Sequence, residues 1–198
     1  MRILDRATTR LPRPWRTVAD WLLTIALAIG FVLAFQAEVA KPFRIPSASM
    51  EPTLHCSGQR GCEAGFSDRV IACRICYRVR SPHRNDIVVF TPPARAREKG
   101  CPGGTFVKRL IALPGETWAE RNGYVYIDGK RLNEPYVKPD LRDHFTYSPQ
   151  RIPQGRYFVM GDNRSASCDS RAWGTVPRGN LIGPVVATYW PLNRISLF

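Results

Sequence analysis

One stretch near the N-terminus constrains this chain more than any other. Val18–Phe35 is almost wholly apolar, and no lysine or arginine occurs in the 24 positions between Arg16 and Lys41. As a helix, that length reaches roughly 36 Å, enough to cross a hydrocarbon core of roughly 30 Å. Asp20 and Glu38 fall near its two ends, where water solvates them, and Trp15 and Trp21 fall where interfacial rings are comfortable. Arg2, Arg6, Arg10, Arg13 and Arg16 precede the run, and only Lys41 and Arg44 follow closely. That asymmetry predicts a cytoplasmic N-terminus and an exported remainder. The chain then divides into a cytoplasmic basic tail (1–17), a transmembrane anchor (18–40) and an extracytoplasmic body (41–198). A cleaved secretory signal competes, because the strongest run, Trp21–Phe35, has 15 residues. Its best cleavage triplet, Val32-Leu33-Ala34, lies inside the apolar run. A buried core helix fits the arginine-rich flank worst.

The body is long enough for one medium domain. Apolar residues make up 44% of the 198, so a packed core is available and wholesale disorder is excluded. A net charge of +13 excludes an acidic solvating protein and suits an anionic partner, lipid headgroups or nucleic acid. No interleaved aromatic and basic signature of a nucleic-acid module accompanies it, so no nucleic acid is expected. All six cysteines lie after the anchor, where disulfides are permitted in 15 possible full pairings. Cys56 and Cys62 bracket a short glycine-containing loop and form the most natural pair. Cys73 and Cys76 have metal-knuckle spacing but no second ligand pair, so no metal is expected. They are then free thiols or a disulfide.

After residue 50 no sustained helical period occurs. Asp86–Phe90, Thr105–Leu113, Tyr157–Met160 and Leu181–Trp190 read as strands. Trp118–Arg121 and Tyr124–Ile127 flank Asn122-Gly123 and read as a hairpin, with a further turn at Asp128-Gly129 before Lys130–Leu132. Cys56–Phe66, Ala94–Gly104 and Lys138–Gln154 read as long polar loops. The expected fold is mainly β, an antiparallel body preceded by one N-terminal transmembrane helix.

Three stretches carry candidate chemistry. Ile45-Pro46-Ser47-Ala48-Ser49-Met50-Glu51-Pro52-Thr53-Leu54 sets two serines between prolines, so a stiff backbone presents a hydroxyl. Taken alone it also reads as a juxtamembrane linker. Phe106–Glu116 places Lys108 inside an apolar strand. Such a lysine either snorkels to solvent or is desolvated until its amine becomes a base. Gly161–Gly174 is dense in hydroxyls and opposite charges, which also suits a polar turn held by local bonds.

In this order the motifs S-x-S-M-x-P-T-L, K-R-x-x-x-L-P-G and G-D-N-R-x-x-S-x-D-S-R resemble those of type I signal peptidases, membrane-bound serine proteases with a Ser–Lys dyad. The resemblance runs from residue 45 to the C-terminus and includes Asp86–Phe90 and Trp190–Ile195. It implies Ser49 as nucleophile, Lys108 as general base, and the Ser47 hydroxyl with the Ser49 backbone N–H as oxyanion hole. It further implies Ser167 as the serine that orients the lysine, and Asp162, Asp169, Arg109 and Arg171 as structural supports. Ile45, Met50, Leu54, Phe106 and Val107 would line shallow pockets for small side chains. The expected substrates are signal-peptide-bearing preproteins cut after Ala-x-Ala sites at a bilayer, without a cofactor. Any cap inserted within 109–160 must be small. Asn85 departs from the family's usual glycine before Asp86, and the Cys56–Cys76 stretch lies outside the catalytic pattern. A membrane-tethered basic β domain that binds lipid or nucleic acid without catalysis is the alternative, beside a related organelle or self-cleaving Ser–Lys protease. A histidine-based protease is a weaker competitor, because His55, His83 and His144 lie outside the matched motifs.

Overall fold

The computed structural model describes residues 13–198. Residues 1–12, most of the expected basic tail, lie outside the described residues. The chain forms two units, divided after Ala40. The described part of the first is helix α1 (Arg13–Glu38), whose Thr17–Phe35 segment is long and apolar enough to cross a bilayer. Its interior hydroxyl is satisfied within the helix, Thr24 Oγ1 donating to Asp20 O at 2.7 Å. The helix ends at Glu38, and the chain is extended from Ala40, the last residue of the expected anchor.

The second unit is antiparallel β. Its strands are β1 (Ala40–Arg44), β2 (Arg69–Cys73), β3 (Ile87–Phe90) and β4 (Phe106–Ala112), then β5 (Thr117–Arg121), β6 (Tyr124–Ile127), β7 (Lys130–Arg131) and β8 (Tyr147–Arg151). They continue as β9 (Arg156–Met160), β10 (Val176–Pro177), β11 (Leu181–Trp190) and β12 (Ser196–Leu197). Three short helices interrupt them: α2 (Cys76–Val79), α3 (Ala94–Glu98) and α4 (Ser170–Trp173). An eight-stranded sheet runs β1-β2-β11-β3-β4-β9-β10, with β12 also on β11. A four-stranded sheet, β7-β6-β5-β8, is inserted between β4 and β9.

The period-2 alternation of β4 decides where the two cores lie. Phe106 and Leu110 pack on one face with Val88, Phe90, Val159 and Trp173, and Val107 packs on the other with Ile45, Met50, Ile87 and Val89. A third cluster joins the small sheet to the end of the large one, where Trp118 stacks on Phe158 with centroids 4.1 Å apart. The Asn122-Gly123 hairpin forms as its sequence predicts, with φ of 50° and 76°. Gly123 is required twice over, because a Cβ there would lie 2.0 Å from the Asp143 carbonyl oxygen.

Two expected loops hold more structure. Ala94–Gly104 contains α3, and Lys138–Gln154 contains β8, whose side chains after Tyr147 are exposed. Without a buried face, β8 has no alternating pattern to read. All six cysteines pair: Cys56–Cys62, Cys73–Cys76 and Cys101–Cys168. Cys73 and Cys76 are therefore neither free thiols nor a metal knuckle.

Candidate active site

Ser49 lies in a buried 3-10 turn, Ala48–Met50, with Ser47 extended just before it. Prolines on both sides keep this segment out of a longer helix. Lys108 projects from the middle of β4, opposite Val88 of β3. The two side chains meet: Lys108 Nζ and Ser49 Oγ are hydrogen-bonded at 2.5 Å, both buried. Ser47 Oγ lies 3.2 Å from Ser49 Oγ. No histidine is among the hydrogen-bond partners of Ser49 Oγ. His55 instead pairs with Glu51, whose buried carboxylate also accepts the N–H groups of Cys56 and Glu63 at 3.0 and 3.3 Å. Glu63 is paired in turn with Lys138 at 3.0 Å. That cluster closes the Cys56–Cys62 loop behind the nucleophile turn.

Burial drives the Lys108 amine down from its ordinary 10.5 to about 8. The carboxylates of Asp169 and Asp162 oppose the fall, and the Arg171 guanidinium adds to it. Each carboxylate is held by its own arginine. Asp162 accepts Arg109 Nε at 2.8 Å and Nη2 at 2.6 Å, and Thr53 Oγ1 donates to it at 2.6 Å. Asp169 accepts Arg171 Nε and Nη2, both at 2.8 Å, and the Gly161 N–H at 3.1 Å. Desolvation pushes Asp169 up, but these donors outweigh it and leave its carboxyl below the usual range. Paired in this way, the two acids do not hand a full negative charge to the amine.

Ser167 Oγ is buried, and the expected hydrogen bond to the Lys108 amine is not formed; its hydroxyl is instead one of the groups that hold the Asp169 carboxyl down. It packs against Gly161, where a Cβ would lie 2.3 Å from that oxygen.

A cleft of about 300 Å³ opens over Ser49 and Lys108. Ile45, Met50, Phe106 and Val107 line it. Leu54 does not: it is fully buried in the core beside Ile45 and Val89, because the chain has turned inward by then. Gln59, Pro102, Gly103, Thr105, Ala166 and Cys168 line it without having been foreseen. Gln59 lies in the loop closed by Cys56–Cys62, the pair that the sequence suggests, whereas Pro102 and Gly103 follow Cys101, whose partner Cys168 lies 67 residues away and is not indicated by the sequence.

A buried amine is thus bonded to a serine hydroxyl at the floor of a cleft in a β body, and comparison with known proteins places the chain among the serine peptidases. Residues 18–190 match the family described as signal peptidase, peptidase S26, and the chain belongs to that family. It is 38% identical over 174 residues to a probable signal peptidase I-2 of Synechocystis, an alignment covering 88% of this chain and 74% of the relative. It is 36% identical over 188 residues to a signal peptidase I of Leptolyngbya laminosa, covering 93% and 86%. A crystal structure of a signal peptidase I from Enterococcus faecalis is also similar, with 36% identity, TM-score 0.43, 53% of this chain and 97% of that one covered.

Proposed function

We propose that this chain is a membrane-tethered endopeptidase that removes signal peptides from exported preproteins, with Ser49 as nucleophile and neutral Lys108 as general base. The observation that carries the reading is the 2.5 Å contact between Lys108 Nζ and Ser49 Oγ, made between two buried side chains. A serine hydroxyl attacks poorly unless a neighbour takes its proton. Here the amine lone pair accepts that proton as Oγ bonds to the substrate carbonyl carbon. The lysine then donates it to the leaving amine, and water hydrolyses the acyl-enzyme by the same route. Ser47, 3.2 Å from the attacking oxygen, supplies a hydroxyl on the side where negative charge develops. Asp162 with Arg109 and Asp169 with Arg171 hold the floor of the site, and Ser167 keeps the lysine-orienting role that its motif implies.

The cleft suits an extended peptide with small side chains, with Ala-x-Ala as the expected site. The α1 helix supports single-pass tethering, with the N-terminus cytoplasmic and the body (41–198) outside. Enzyme and substrate then share one surface, which raises their effective concentration. No nucleic acid, cofactor or metal enters the proposed reaction.

The test is cleavage of an Ala-x-Ala peptide and of a membrane-embedded preprotein by the full chain in lipid vesicles. Loss of cleavage by Ser49→Ala and by Lys108→Ala supports the reading. Retained processing by Ser49→Ala would turn it over in favour of a binding module.

A further inference from the structure

One wall of the cleft is not used by the chemistry above. Cys101 and Cys168 are joined across 67 residues, with Cα atoms 6.0 Å apart. Cys168 follows Ser167 and itself lines the cleft; Cys101 opens the segment 101–105, of which Pro102, Gly103 and Thr105 line the same cleft. Residues 102–105 lie between α3 and β4 and are exposed. The helical turn before them closes at Cys101, whose N–H donates to Ala96 O at 3.1 Å. Beyond that bond, the disulfide fixes this lip against the turn that carries Ser167.

Gly103 is the informative residue. Its backbone is not left-handed, and a Cβ there would meet no atom within 4 Å. Neither local conformation nor packing requires glycine at this position. Because Gly103 lines the cleft, a side chain at this position would be built at its edge.

We infer that the lip 101–105, clamped by the Cys101–Cys168 disulfide, is a specificity-determining wall of the cleft, and that Gly103 keeps room there for substrate side chains. The inference rests on the peptidase reading and deepens it. A clamped wall fixes the width of the pocket, so bulk is rejected by steric overlap. A lip released from its clamp yields to bulk and discriminates less. Leucine at position 103 occupies part of the same space and raises the rejection.

The experiment compares the full chain, Gly103→Leu, and the double variant Cys101→Ala with Cys168→Ala, in lipid vesicles. Two peptides serve, one with alanine at both small positions of the Ala-x-Ala site and one with valine at both. The readout is the ratio of their kcat/KM values. Gly103→Leu is expected to lower kcat/KM for the valine peptide at least about tenfold more than for the alanine peptide. The double variant is expected to move the ratio the other way, toward the valine peptide. An unchanged ratio in Gly103→Leu overturns the wall, and an unchanged ratio in a folded double variant overturns the clamp. Circular dichroism at the assay temperature establishes folding; should the double variant unfold, Gly103→Leu decides the matter alone. Failure of the unsubstituted chain to cut either peptide refutes the peptidase reading instead.

Discussion

The backbone N–H of Asn163 donates to the carbonyl oxygen of Ser49 at 3.2 Å, so the turn after β9 is bonded to the turn that carries the hydroxyl. Gly161 stands in that contact. A Cβ on it would lie 2.4 Å from Ser49 O and 2.3 Å from Ser167 Oγ. The first neighbour is backbone and cannot rotate away. Gly161→Ala is therefore expected to push the Ser49 turn off β4 and lengthen its contact with Lys108. A misplacement of about 1 Å near reacting groups costs about 100-fold in rate. Peptide cleavage by a variant shown by circular dichroism to be folded checks it; near-normal kcat would mean the turns are not coupled.

The sequence carried more of this site than of its surroundings, for a physical reason. Ser49, Lys108, Asp162 and Asp169 must hold one geometry, and each sits in a short motif dense with prolines, glycines or paired charges. Strands such as Leu181–Trp190 were legible to the residue, because they bury enough side chains to impose a pattern. The two-residue strands β7, β10 and β12 bury too little to do so, and β8 is exposed along most of its length. Leu54 was misplaced because a motif gives the order of residues but not where the chain turns inward. The lip at 101–105 was invisible because its position depends on a partner 67 residues away.

Activity should rise with pH through the titration of the lysine. Only the neutral amine accepts the proton of Ser49, and burial sets its pKa at about 8. In the free enzyme, kcat/KM is expected to climb about tenfold per pH unit below that point and level off above it. A pH–rate profile on a soluble Ala-x-Ala peptide checks this. A rise with its midpoint near 10.5, the ordinary value for lysine, would mean the amine is solvated in the working enzyme.

The same burial has a cost in stability, and its sign is set by proton counting. Between about 8 and 10.5 the unfolded chain keeps a proton on Lys108 that the folded chain has lost. The unfolded state binds more protons there, so stability rises with pH across that window, by up to about 3 kcal/mol. Below about 8 both states carry the charge, and the folded state bears its full desolvation. Lys108→Met keeps the volume and removes the charge, so it should be inactive yet melt higher at pH 7. Its melting temperature should lack the rise expected of the unsubstituted chain between pH 8 and pH 10.5. Thermal melts of both forms across that range measure the difference, and parallel curves would contradict it.

Glu120 poses the opposite problem. It lies on β5 of the inserted sheet, fully buried, and neither carboxylate oxygen has a hydrogen-bond partner among the described residues. Its closest cation is Arg171, with Nη1 3.8 Å away, and that guanidinium is already committed to Asp169 and Asp143. Burial raises the Glu120 carboxyl from 4.5 to about 7; Arg171 and Arg164 pull it back, while Asp143 and Asp169 push it further up. Between those two values the folded chain holds a proton that the unfolded chain has released. Stability must therefore fall as pH rises from about 4.5 to about 7, by up to about 3 kcal/mol from this group. Glu120→Gln fixes the neutral form. It is expected to leave stability near pH 4.5 almost unchanged, to raise the melting temperature at pH 8, and to flatten the decline between. Because Arg171 then answers only to Asp169 and Asp143, the support beneath Lys108 should be kept and peptide cleavage retained. A lower melting temperature at pH 8 would show that the ionised carboxylate stabilises the junction through Arg171, and that its attraction to the guanidinium outweighs its desolvation.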